Sequence, residues 1–142
     1  MKKNGIVTLS IGVPWKSILI PEPVFFVIYP STRGGFNAQA VPKSIESNEC
    51  KIYFLKVWRG QTDTLTEISG IPDLTFCHSS SYLIATKSIK AAVKACETAT
   101  KNAHSNQCQE RSFNLIIFVA KICVNSRYLD FTIGIISRYI YQ

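Results

Sequence analysis

An α+β fold is what the 142 residues predict: a small mixed or antiparallel β-sheet with two helices packed on it, followed by an atypical β-rich tail. Three observations carry this reading. Short β-branched or alternating runs bounded by Gly and Pro occupy the first third of the chain, as in "GIVTLSIGV", "VFFVIYP" and "FNAQAVP". Two helical patterns follow, one short and capped near residues 64–70, one amphipathic from Ser88 to about Lys101. A hydrophobic share of 46% with 18% charged residues fits a packed domain rather than a disordered chain. This length allows one domain with a real core and is too short for two ordinary ones.

Taken in order, the β-branched "GIVTLSIGV" reads as a strand ended by Gly12 and Pro14, and "PWKSIL" as a turn or short helical start. Val24 to Pro30 is a continuous apolar run, as expected of a strand covered on both faces. Gly34-Gly35 signals a hairpin, because glycine reaches positive φ at little steric cost. In the next strand Phe36, Ala38 and Ala40 face one way and Asn37, Gln39 and Val41 the other, until Pro42 closes it. Residues 43–56 read as a loop and then a short extended segment, "IYFL".

Thr64 and Glu67 stand at capping-box spacing, Leu65 and Ile68 form an apolar edge, and Gly70 with Pro72 ends that short helix. "LTFC" and "YLIA" are strand-like runs separated by His78, Ser79, Ser80 and Ser81. Ser88 then caps a helix whose apolar stripe is Ile89, Ala92, Val93, Cys96 and Ala99. A polar stretch from Asn102 leads to β-rich segments around Phe113 to Val124 and Tyr128 to Tyr141. Residues 1–101 are therefore expected to form the domain and residues 102–142 a divergent tail.

Sixteen Lys and Arg against nine Asp and Glu give a formal charge of +7, which favours anionic partners, although the positive residues are scattered and form no basic arm. Five cysteines without a C-x-x-C pair suggest neither a disulfide framework nor a zinc ribbon and read as reduced thiols of an intracellular protein. The N-terminal apolar stretch is interrupted by Thr8, Ser10 and Gly12, unlike a secretory signal, and "NLIIFVAKICV" is too short to span a bilayer, so no membrane partner is expected. Phosphate-loop, dinucleotide, nucleophile-elbow and zinc-helix motifs are all missing, and no small-molecule cofactor is expected. His78 beside three serines lacks an acidic partner for a catalytic triad.

Two features remain as binding candidates. The His78 to Ser81 loop brings hydroxyls, an imidazole and backbone N–H groups to a strand end, where they suit a phosphate; the alternative is a polar hairpin turn. In "WRG", Arg59 suits a phosphate and Trp58 a stacked base; the alternative is a core Trp with Arg59 bonded to carbonyls at the domain edge.

These same residues carry a family resemblance. "PWK", "VIYP" with "GG", "QAVP", "WRG", "SGIP" and "F-x-H-x-S", in this order and spacing from about Gly5 to Ala99, resemble the C-terminal half of the MYG (melanocyte proliferating gene) family of DHH-like metal-dependent RNA exonucleases. Phe36 stands where the family has Trp, and Ser81, Ile84 and Ala85 replace three family glycines. The resemblance implies the second domain of a DHH-like phosphoesterase, a domain that helps to bind substrate and holds no metal. It further implies a 3′–5′ RNA exonuclease as the parent activity, with Mn or Mg held by a catalytic half whose motifs this chain does not contain. Arg59, His78, Ser80, Lys16 and Gln39 are then the candidate RNA-phosphate contacts and Trp58 the stacking candidate, with catalytic and metal residues absent. RNA is the expected partner, a homo-oligomer is a further possibility, and the nucleus or mitochondrion is the implied location. Two rival expectations stand beside this one: a non-catalytic protein-interaction or dimerisation module, and a degenerate or mis-spliced product.

Overall fold

A computed structural model describes residues 2–106. The β-rich segments expected after Phe113 lie outside the described residues. Met1–Ala103 forms one compact unit. Its elements are β1 (Lys2–Lys3), β2 (Ile6–Thr8), α1 (Lys16–Leu19), β3 (Phe26–Pro30), β4 (Phe36–Ala40), a 3₁₀ turn (Lys56–Trp58), α2 (Leu65–Ser69), β5 (Leu74–Cys77) and β6 (Leu83–Thr86). A helix α3 then runs over residues 89–106.

The strands make one sheet in the order β1-β2-β3-β4-β6-β5. β2 and β3 are parallel, joined by the crossover that contains α1, and every other neighbouring pair is antiparallel, so the sheet is mixed as expected. A two-residue period then sorts side chains between two faces. Phe26, Ile28, Ala38, Ala40, Ile84, Leu74 and Cys77 go to the larger core, where Phe54, Trp58, Leu65 and Ile71 join them. Val27 and Val41 go to the opposite side and meet Val7, Trp15 and Val24 in a smaller core beneath α1. The strand "VFFVIYP" is thus covered on both faces, with Phe26, Val27 and Ile28 all fully buried.

α3 approaches the sheet through small residues. Ala91, Ala92, Ala95, Cys96 and Ala99 are buried in the larger core, whereas Ile89 is 41% exposed. The expected stripe is therefore rotated. Ala92, Cys96 and Ala99 are buried as the pattern predicts, but Ala91 and Ala95 join them in the core, while Ile89 lies on the flank and Val93 is only partly covered. Ser88 caps α3 as expected, its Oγ accepting the Ala91 N–H at 3.3 Å. The helix also continues past Lys101 to residue 106, through part of the polar stretch.

α2 differs more. Thr64 makes no side-chain cap; its hydroxyl donates instead to Gln61 Oε1 at 2.9 Å, so the capping box is not formed. Leu65 is buried but Ile68 is 48% exposed, because a helix of five residues turns only one apolar position inward. Gly70 does end it in the left-handed conformation, φ 63°. The "IYFL" segment joins no strand, although Phe54 is anchored by its N–H to the Ser81 carbonyl at 2.9 Å. Lys51, unremarked in the sequence, ties this segment to the other side of the domain by donating to the carbonyls of Ile20 (2.7 Å), Glu22 (2.6 Å) and Val24 (3.2 Å).

β5 contains a bulge. Leu74 pairs with Thr86 and Phe76 with Ala85, so Thr75 is the extra residue, its hydroxyl donating to the Ala85 carbonyl at 3.0 Å. Without it, Leu74 and Cys77 would face opposite ways. With it, both are buried and Phe76 turns to the other face, where it is only partly covered.

The loop between β3 and β4 lies against the end of β6. Gly35, at φ +71°, passes so close that a Cβ there would stand 2.2 Å from the Thr86 carbonyl oxygen, whereas a Cβ on Gly34 would meet nothing within 4 Å. Gly35→Ala is expected to lose at least about 1–3 kcal/mol from backbone strain and displacement of β6, with Gly34→Ala losing distinctly less. Urea unfolding of the two variants checks this; equal losses would mean that the contact with Thr86 is not tight.

Candidate nucleic-acid interface

β5 ends at Cys77 and β6 begins at Leu83, and the chain between them closes in a hydrogen-bonded turn. His78 N–H donates to the Leu83 carbonyl at 2.9 Å, and Ser81 N–H to the His78 carbonyl at 2.8 Å. Ser80 N–H donates to His78 Nδ1 at 3.1 Å, which makes Nδ1 the acceptor and leaves the proton of the neutral ring on Nε2. The imidazole is held on its flanks by Tyr82, 4.6 Å between ring centres, and edge-on by Phe76, 6.4 Å at 87°. Ser79 and Ser80 are exposed. The loop is indeed a polar hairpin turn, and its imidazole is oriented by two aromatic rings.

Arg59 is brought to the same place by backbone bonds. The 3₁₀ turn ends at Trp58, then Gly60 N–H donates to the Cys77 carbonyl at 3.0 Å and Cys77 N–H to the Gln61 carbonyl at 3.1 Å, covering that end of the β5 edge. Arg59 Nε donates to Ser81 Oγ at 2.8 Å. The guanidinium is otherwise exposed, and its two terminal NH₂ groups face no acceptor among the described residues. Trp58 is 1% exposed and stacks on Phe54 at 6.5 Å, so it offers no ring face to a base. The stacking role expected of it is corrected: Trp58 belongs to the core, and Arg59 is bonded to a hydroxyl rather than to carbonyls.

Gln39 lies on the same face as this turn, paired in register with Leu83, and its Oε1 accepts the Tyr29 hydroxyl at 2.9 Å. Partial burial pushes the Tyr29 hydroxyl above the usual tyrosine range, so it stays protonated and a donor. Lys16 is placed elsewhere, at the start of α1, where it lines a cleft of about 360 Å³ with Val13, Pro14, Trp15 and Ile45. The structure thus gathers Arg59, His78, Ser80 and Gln39 around one sheet end and leaves Lys16 among apolar neighbours.

The outer face of β4, β6 and β5 carries Asn37, Gln39, Leu83, Ala85 and Phe76, all partly exposed. At its far end a cleft of about 640 Å³ opens between the 31–35 loop and β6, bordered by Arg33 and Lys87. Neither residue was singled out in the sequence. "STRGG" reads only as a turn, and nothing local says that Lys87, 54 positions later, lies beside it.

Among the described residues, no three His, Cys, Asp or Glu side chains come close enough together to hold a metal ion. Cys50, Cys77 and Cys96 are free and buried, and burial pushes the Cys77 thiol up to about 11. No helix of the described residues is long and apolar enough to cross a membrane.

Comparison with known proteins bears on the identity of this domain. A family model for MYG1 exonucleases, described as uncharacterised protein family UPF0160, matches residues 1–100. The chain belongs to this family. The human MYG1 exonuclease (Homo sapiens) is 36% identical over 88 residues, which are 55% of this chain and 23% of the human protein. The cattle MYG1 exonuclease (Bos taurus) is 36% identical over 81 residues, 51% of this chain and 21% of that protein. The MYG1 protein of the slime mould Dictyostelium discoideum is 29% identical over 97 residues, 62% of this chain and 30% of its own length. The chain therefore spans less than a third of these MYG1 relatives. No solved structure matches it.

Within the MYG1 resemblance, one departure now has a geometry. Ser81 replaces a family glycine yet keeps a left-handed backbone, φ 55°, with its side chain fully buried against Arg59. Ser81→Ala is expected to destabilise the domain by about 1.5–3 kcal/mol through loss of a charge-assisted bond. Ser81→Gly loses the same bond but relieves roughly 1 kcal/mol or more of left-handed strain, so it is expected to be the milder change. Urea unfolding of both variants decides; a glycine variant no more stable than the alanine variant would show that the turn stores no strain.

Proposed function

We propose that this chain is the RNA-binding C-terminal domain of a MYG-type metal-dependent 3′–5′ exonuclease, with the metal chemistry supplied by residues outside it. Membership of the MYG1 exonuclease family is the observation that carries the reading. The geometry supports it through the Arg59–Ser81–His78 turn: an exposed guanidinium held at one nitrogen and presenting the others, an imidazole N–H and exposed serine hydroxyls, all at one end of a sheet. Such donors suit phosphate oxygens and carry no sequence code. A net charge of +7 adds non-specific attraction.

The described residues do not fit a divalent-metal site. Two-metal hydrolysis needs carboxylate and imidazole ligands that hold ions roughly 3.5–4 Å apart, and no such donor set forms among them. A second reading, a protein-interaction module, draws on one feature: Ile11, Val13, Ile18 and Ile45 are 40–71% exposed. Their burial in a partner would be salt-insensitive, whereas RNA binding would not.

Three outcomes are expected with the purified chain and fluorescently labelled single-stranded RNA. Anisotropy should show weak binding that falls steeply between low and moderate salt; Arg59→Ala should weaken it by about 1.5–3 kcal/mol; and Mn²⁺ or Mg²⁺ should produce no chelator-sensitive cleavage. Salt-independent oligomerisation without RNA binding would favour the interaction module instead.

A further inference from the structure

The cleft beneath the 31–35 loop is built by a contact that has no role in the Arg59–His78 turn. Gly34 and Gly35 both take positive φ, and the missing Cβ of Gly35 lets the loop lie directly on the Thr86 carbonyl. The loop is internally closed: Ser31 N–H donates to the Gly35 carbonyl at 3.0 Å, Gly34 N–H to the Ser31 carbonyl at 3.1 Å, and Arg33 N–H to Ser31 Oγ at 3.3 Å. The Arg33 side chain is therefore carried on a fixed loop to the mouth of the cleft. Lys87 borders the same cleft where Gly35 passes close to its Cα, and is held by its N–H to the Asp73 carbonyl at 2.8 Å. Both cations are exposed, and neither has a carboxylate partner among the described residues.

Between them the floor is mixed in a particular way. Asn37 and Thr75 contribute polar groups, and the bulge at Thr75 turns the Phe76 ring outward onto the same face. Two unpaired cations and a partly covered aromatic ring lining one cleft match a nucleotide, with the phosphate on the cations and the base against the ring. An acidic peptide would use the cations but not the ring. From Lys87 back to Leu83, which meets His78, is four strand residues, or about 13 Å at the usual rise. One sheet face thus has phosphate donors at both ends.

We infer that this cleft is a second nucleotide site, binding a nucleotide phosphate through Arg33 and Lys87 and its base on Phe76, so that a single RNA strand runs along the outer face of β5, β6 and β4 from the cleft to the Arg59–His78 turn. The extended path rests on the RNA-binding reading; the nucleotide site itself does not.

Adenosine 5′-monophosphate, adenosine and inorganic phosphate are titrated into the ¹⁵N-labelled full chain, and labelled single-stranded RNA is titrated in parallel by anisotropy. The monophosphate is expected to shift amides of Gly34, Thr86 and Lys87 and to bind more tightly than adenosine or phosphate alone. Arg33→Ala/Lys87→Ala should weaken both the monophosphate and RNA at least tenfold. Lys90→Ala/Lys94→Ala, which removes the same charge from exposed positions of α3, should weaken neither by more than about twofold; the spectrum of each variant reports whether it is folded. If the monophosphate binds in the cleft but RNA does not bind at all, the nucleotide site stands and the proposed function fails. If RNA binds and the Arg33/Lys87 variant retains its affinity, or if the monophosphate shifts residues elsewhere or none, this inference is overturned whatever becomes of the proposed function.

Discussion

The register of β4 against β6 is the constraint on which the rest of this domain depends. Gln39 faces Leu83 and Phe36 faces Thr86, two segments more than 40 residues apart in sequence. A slip of one residue would turn Ile84 and Thr86, both now buried, towards the outer face and bring Leu83 and Ala85 into the core. The same slip would lift the 31–35 loop off Thr86, where Gly35 now makes room for it, and would part Gln39 from the His78 turn. Core, cleft and turn are therefore consequences of one pairing. Small residues reinforce it: Ala38 and Ala40 on β4 leave the space that the alanines of α3 fill.

Burial on one side leaves the other side available. The larger core takes one face of the sheet, and the smaller core beneath α1 takes the opposite face only near β2 and β3. On the remainder, Gln39, Asn37, Phe76 and His78 bring amide, aromatic and imidazole groups together without a buried cluster over them among the described residues, and Tyr29 joins them from the edge of the smaller core. The β5 bulge is what reconciles the two demands, since it holds Leu74 and Cys77 in the core and still presents Phe76 outward. Ser81 makes a comparable compromise. It accepts a left-handed backbone, usual for glycine, and fixes Arg59 in exchange.

Much of this was legible in the sequence, and the failures have a common cause. Alternation in "FNAQAVP" assigned both faces of β4 correctly, and Gly70 with Pro72 located the end of α2, because each depends on neighbours in the chain. Family membership was legible from ordered short motifs. The capping box failed since Thr64 found Gln61 instead, and the α3 stripe is rotated so that Ala91 and Ala95 are buried and Ile89 is not, which depends on the sheet beneath rather than on neighbours in the chain. Trp58 and Arg59 illustrate the limit most clearly. They are adjacent, yet one is core and the other exposed, and only the packing of Phe54 and the hydroxyl of Ser81 decide which is which. Arg33 and Lys87 were invisible for the same reason: their proximity is a product of the β4–β6 register.

The central claim is that RNA lies on the outer face of β4, β6 and β5. Photo-crosslinking of the full chain to single-stranded RNA containing 4-thiouridine, followed by mass spectrometry of the peptides, tests it most directly. The account predicts crosslinks on Tyr29, Phe76 and His78, lost at high salt. Crosslinks confined to α2 and the exposed side of α3, or none at a salt concentration where anisotropy reports binding, would contradict it.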